Sequence, residues 1–91
     1  MASSEEAFAR FWMWKKSHTV LNLTVVTKGG IPEKLIGEIS AIDEDASLVS
    51  FLVAGTRDFC RILFADASFG LEARALSAER PTGDVLRFEV R

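Results

Sequence analysis

The sequence predicts a mostly β fold: one N-terminal α-helix followed by a strongly bent, antiparallel small β-barrel. Three observations predict it. Aromatic residues recur at helical spacing within the first sixteen positions; from Thr19 the apolar rhythm changes to period two; and Gly37 stands inside an alternating run whose phase then slips. The 91 residues are expected to form a single domain over 1–91, with the helix over 4–16 and the barrel over 19–91.

The helix has recognisable ends. Ser3 and Glu6 fit a capping box, in which each side chain satisfies a free backbone N–H at the helix start. Glu5 and Glu6 sit at the positive end of the helix dipole, and Lys15 and Lys16 at its negative end. Phe8, Phe11 and Trp12 fall on one face, and Met13 and Trp14 widen it. Such a helix serves as a lid over one open end of the sheet, or as a docking element for a partner through Phe8, Phe11, Trp12 and Trp14.

The strands follow in turn. Leu21, Leu23 and Val25 alternate with Asn22 and Thr24; Gly29, Gly30 and Pro32 then mark a hairpin turn. A second strand runs from about Lys34 to Ile42, with Leu35, Gly37 and Ile39 on one face; the glycine and the later phase slip predict a bend or bulge that lets a short sheet curl. Asp43, Glu44 and Asp45 make the next turn. Ser47 to Ala54 is a third strand. Asp58 to Ala65 is a fourth, and because both of its faces are apolar it is expected to lie centrally or against a neighbour. Asp66 to Arg80 mixes good helix formers with the alternation of Phe69, Leu71, Ala73 and Ala75, and is read as strand. Pro81 and Gly83 turn the chain into a last strand carrying Leu86, Phe88 and Val90.

Composition narrows the function. The chain is 48% hydrophobic, with seven Phe and two Trp, too apolar for disorder and rich enough to favour a buried subunit interface. The formal net charge of -2 offers no broad basic footprint for duplex DNA or an anionic membrane. No run of roughly 18 apolar residues spans a bilayer, and the acidic N-terminus is unlike a secretory leader, so a cytoplasmic location is expected. One cysteine, Cys60, and one histidine, His18, are a poor basis for a nucleophile–base pair or a zinc site; no cofactor, no metal and no enzymatic activity are expected. Asp43, Asp45 and Ser47 match early positions of a calcium loop, but Leu48 and Ala54 replace its turn glycine and closing glutamate.

The first half resembles the Sm-like fold. Leu21, Leu23 and Val25, then Lys28-Gly29-Gly30, then Leu35, Gly37 and Ile39, then Ile42-Asp43 and Leu48-Val49 are similar to that family's first motif over roughly residues 20–53. The resemblance implies a homo-oligomer joined through edge strands, with single-stranded RNA as a candidate ligand. Asp43 and Ser47 are the positions matching its first RNA-contacting loop, Ser47 standing where the family usually has Asn. The basic second loop has no counterpart, since Asp66–Gly70 is acidic and Glu79–Gly83 is broken by proline.

A second resemblance, to PilZ-type barrels that bind cyclic diguanylate, rests on Arg57 and Arg61 with Asp66 and Ser68. It implies a nucleotide-sensing site in which guanidinium forks take phosphates or guanine edges.

Overall fold

The capping box forms as the spacing predicts. In the computed structural model, which describes residues 2–91, the Glu6 amide donates to the Ser3 hydroxyl at 3.1 Å and the Ser3 amide to the Glu6 carboxylate at 3.3 Å. They open helix α1, Ser4–Lys16. Its buried face is Ala7, Phe8, Phe11 and Trp14, whereas Trp12 is 42% and Met13 54% exposed. The helix ends where the Ser17 amide and hydroxyl both donate to the Met13 carbonyl, and His18 turns the chain with a left-handed φ of 51°.

Seven strands follow: β1 Leu21–Val26, β2 Glu33–Asp43, β3 Leu48–Val53, β4 Phe59–Leu63, β5 Ser68–Glu72, β6 Ala75–Glu79 and β7 Val85–Val90. They make one antiparallel sheet in the order β4-β3-β2-β1-β7-β6-β5. Period-two alternation places Leu21 and Leu23, Ile39, Val49 and Phe51, Ile62, Phe69, Leu76 and Ala78, and Leu86 and Phe88 on one buried face. Helix α1 lies across that face, contacting β2 and β5. The aromatic rings then pack as one body: Phe11 stands 5.3 Å from both Phe64 and Phe88, and Phe64 also meets Phe8 and Phe69.

The bulge falls where the phase slip puts it. Gly37 pairs with Val53, and the register slips between Ile39 and Ala41, leaving Ser40 as the extra residue of a bulge. The Ser40 hydroxyl donates to the Ser50 carbonyl at 3.1 Å and holds the bulge to β3.

Three expectations are corrected. The sheet does not close into a barrel: no ladder joins its end strands β4 and β5 among the described residues. Helix α1 contacts β5 as well as β2, and the Ala2 amide donates to the Phe69 carbonyl at 3.0 Å, so the chain's own N-terminal segment lies along the outer edge of β5. Asp66 to Arg80 is not one strand but a hairpin, β5 and β6, turning at Ala73–Arg74. The two-residue turn shifts the phase, so burial passes from Phe69 to Leu76 and Ala78 and leaves Ala73 exposed. Finally, β4 is an edge strand rather than a central one. Its second apolar row meets no neighbour: Phe59 is 59% and Leu63 50% exposed.

Candidate functional site

The fold scatters most of the residues singled out in the sequence. Asp43 and Ser47 do lie together, at the β2–β3 turn. The Asp43 carboxylate accepts from the Ala46 amide at 3.2 Å, and Ser47 adopts a left-handed φ of 53°. Asp43 is thus engaged in shaping the turn, as Asp residues often are. Ser47 lines a cleft of about 300 Å³ with Ser4, Glu5, Phe8 and Glu44, at the start of α1. The carboxylates of Glu5 and Glu44 border this cleft, and they oppose a phosphate chain.

Arg57, Arg61, Asp66 and Ser68 are not gathered into one site. Arg57 belongs to the β3–β4 turn and Arg61 to the exposed side of β4, while Asp66, with a left-handed φ of 59°, turns the chain between β4 and β5. The extended run from residue 58 to 64 between the outer members covers about 20 Å at the usual rise per residue.

Of the helix aromatics, Phe8, Phe11 and Trp14 are core residues and unavailable to a partner while α1 stays seated. Trp12 alone faces outward. Its indole N–H donates to the Glu44 carboxylate, and the Lys15 ammonium lies 5.8 Å from its ring, so the chain itself occupies both its polar handle and its π-face. Trp12, Met13, Ala9, Lys15 and Lys16 line a shallow cleft of about 530 Å³.

The feature that the sequence reading missed is the β4 edge. Two bonds set the hydrogen-bond phase of the β3–β4 ladder: Phe64 N–H to the Ser47 carbonyl at 2.8 Å, and Val53 N–H to the Asp58 carbonyl at 3.1 Å. Because paired residues alternate between bonded and non-bonded, Phe59, Arg61 and Leu63 turn their N–H and C=O groups away from β3. The same three residues hold their side chains outside the core. Across the ladder, Leu52 lies opposite Phe59, Ser50 opposite Arg61 and Leu48 opposite Leu63. Leu48 and Leu52 therefore extend the exposed apolar rows inward from the edge. The edge's signal is the alternation of β4, whose second face is also apolar, a pattern that fits a central strand equally well.

The other end of the sheet differs. Besides the Ala2 amide on the Phe69 carbonyl, the Arg10 guanidinium donates to the Glu72 carbonyl at 2.8 Å and stacks 5.5 Å from the Trp14 ring. Strand β5 is thus partly covered by the chain's own first residues.

The electrostatics of the molecule are concentrated elsewhere, on the outer face of β5–β7. Arg87 bonds Glu72 at 2.8 Å and Glu89 at 2.6 Å. The hydrogen bond from Arg87 and its charge hold the Glu72 carboxyl below its ordinary value, and those two carboxylates raise the guanidinium's own. Among the described residues, no group of three or more His, Cys, Asp and Glu side chains is arranged to hold a metal ion, and no helix is long and apolar enough to cross a membrane. No family model, curated protein or solved structure matches the chain.

Proposed function

We propose that this chain is a non-catalytic, Sm-like binding module that works as a homo-oligomer joined through an open sheet edge. One observation carries the reading. Strand β4 presents a row of unpaired backbone donors and acceptors together with two large apolar side chains, Phe59 and Leu63, that are half exposed or more. An uncovered edge of this kind is a template for another chain, and proteins that stay monomeric blunt it with charge, proline or a covering segment. Here Arg61 is the only charged residue within β4. The Sm-like part of the proposal draws on the order of elements, a capped helix before a meander β1–β4, and on the bulge that follows Gly37 in β2.

The RNA half of the resemblance gains less. Ser47 offers a hydroxyl beside the cleft, but Glu5, Glu44 and the neighbouring Asp43 and Asp45 surround it with negative charge. The proposal therefore rests on assembly.

Size-exclusion chromatography with light scattering tests it. The expected mass is a multiple of the 10.1 kDa chain, falling towards the monomer in Leu63→Lys, which adds a charge to the edge without touching the core. A wild-type chain that stays monomeric at high micromolar concentration overturns the proposal. Filter binding with short uridine and adenine oligomers tests RNA separately; absence of salt-sensitive binding removes that ligand and leaves assembly standing.

A further inference from the structure

We propose that the partner of β4 is β4 of a second copy, paired antiparallel about a two-fold axis at Cys60, with Arg61 opposite the partner's Phe59. This rests on the assembly reading above and specifies which edge is used, in which register.

The edges of the sheet are not equivalent. At β5, the Phe69 carbonyl is taken by the Ala2 amide, and the Arg10 guanidinium sits on the Glu72 carbonyl. A strand approaching β5 would have to displace the N-terminal segment and break the bond from the Ala2 amide to the Phe69 carbonyl. At β4, nothing among the described residues bonds the outward groups of Phe59, Arg61 and Leu63. A head-to-tail join of β4 to β5 therefore loses contacts already made, and a join of β4 to itself loses none.

A strand pairing with its own copy about a two-fold axis is antiparallel, and its bonded pairs must join outward-facing residues on both sides. With Phe59, Arg61 and Leu63 as the outward residues, three registers join more than one of them to the partner's. An axis at Arg61 sets two guanidinium groups directly opposite, which is unfavourable. An axis at Ile62 sets each Arg61 opposite the partner's Leu63, which offers the cation no ring, and leaves Phe59 opposite the partner's Ala65, just as an axis at Cys60 leaves Leu63 opposite the partner's Arg57. An axis at Cys60 pairs each Arg61 with the partner's Phe59, twice by symmetry, so that each guanidinium meets an aromatic ring. It also puts Phe59 diagonal to the partner's Phe59 and Leu63, joining the exposed apolar side chains of both copies into one row. This complementarity of cation and ring selects the third register.

The register places the two Cys60 residues face to face in a non-bonded pair, with Cα atoms about 4.5 Å apart. Cys60 is a free, half-buried thiol, and it is the chain's only cysteine, so it reports the axis without any substitution.

The test is cross-linking of the full chain with a short bismaleimide, in which each thiol adds across one maleimide. The expected result is a covalent dimer linked Cys60 to Cys60, absent in Cys60→Ser. Phe59→Lys sets like charges across the axis and should weaken the dimer at least about tenfold. Adding Arg61→Glu to Phe59→Lys makes the facing charges opposite and should restore it. Circular dichroism of each variant should match the wild type, since both residues are exposed. A Ser68→Cys variant that links Cys60 to the new thiol on β5, and not Cys60 to Cys60, overturns the two-fold pairing and leaves oligomeric assembly intact. A monomer by light scattering overturns both.

Discussion

The carbonyl oxygen of Leu52 stands 1.9 Å from the place a β-carbon would occupy on Gly37. Backbone meets backbone there, so neither side can yield by turning a side chain. Strands β2 and β3 come this close just ahead of the Ser40 bulge. Gly37→Ala must push β3 outward, and the Phe51 ring, 3.0 Å from the same point, blocks movement towards the core. The expected cost is about 3 kcal/mol or more, measured by urea unfolding. A loss within experimental error would show that the close approach does not depend on that glycine.

Phe64 and Phe59 separate core from edge. Phe64 is buried among Phe8, Phe11, Phe69 and Phe88, so Phe64→Ala should lose about 3–5 kcal/mol. Phe59→Ala should change the stability of the monomer by about 0.5 kcal/mol or less, because its ring already faces solvent. Parallel denaturation at concentrations low enough to keep the chain monomeric reads both. Equal losses would place Phe59 in the core and remove the exposed edge.

At the helix start, Ser3→Ala leaves the Glu6 amide without its acceptor. The expected loss is about 1 kcal/mol, with Ser3→Asp close to wild type because a carboxylate caps equally well. Thermal melting followed at a helix-sensitive wavelength distinguishes the two. An Asp variant as weak as Ala would mean that the hydroxyl's bond is not what secures the end.

The Glu72–Arg87 pair gives a signed pH dependence. The folded-state pKa of Glu72 lies below its ordinary 4.5, chiefly because Arg87 hydrogen-bonds the carboxylate. The pair's contribution is therefore complete above 4.5 and is lost as the pH falls through the lowered value. Both groups are solvated, so the effect is small and salt-sensitive. Glu72→Gln should melt slightly below wild type at neutral pH and together with it in acid. A gap that widens on acidification would refute the sign.

Much of the fold is legible in the residues because each local pattern has one physical reading. Ser3-x-x-Glu6 caps a helix, alternating Leu21, Leu23 and Val25 make a strand, and Gly37 with the later slip marks the bulge. Legibility fails where a pattern has two. The double apolar face of β4 fits a strand buried within a chain and equally a strand buried between chains; sequence spacing carries no information on which. The β5–β6 turn hides for another reason. Ala73–Arg74 contains no glycine, asparagine or proline, and neither residue takes a positive φ, so nothing punctuates it. Helical spacing puts Trp12 on the face of Phe8 and Phe11, yet Ala7 and Trp14 complete the buried stripe instead. As for the site, Asp43 and Ser47 share one turn, whereas Arg57 and Asp66 form a group only along the chain.

Strand β1 occupies the middle of the sheet, with β2 on one side and β7, the last strand, on the other. The helix before it packs its rings on Phe88 of that same last strand. Within these residues, an element made early thus packs on one made much later. Until Phe88 has emerged, Phe11 and Trp14 lack one of their ring neighbours and one flank of β1 lacks its strand, and the nascent chain carries them incompletely packed. Folding is deferred rather than progressive, and the interval is when a holdase chaperone has most to bind.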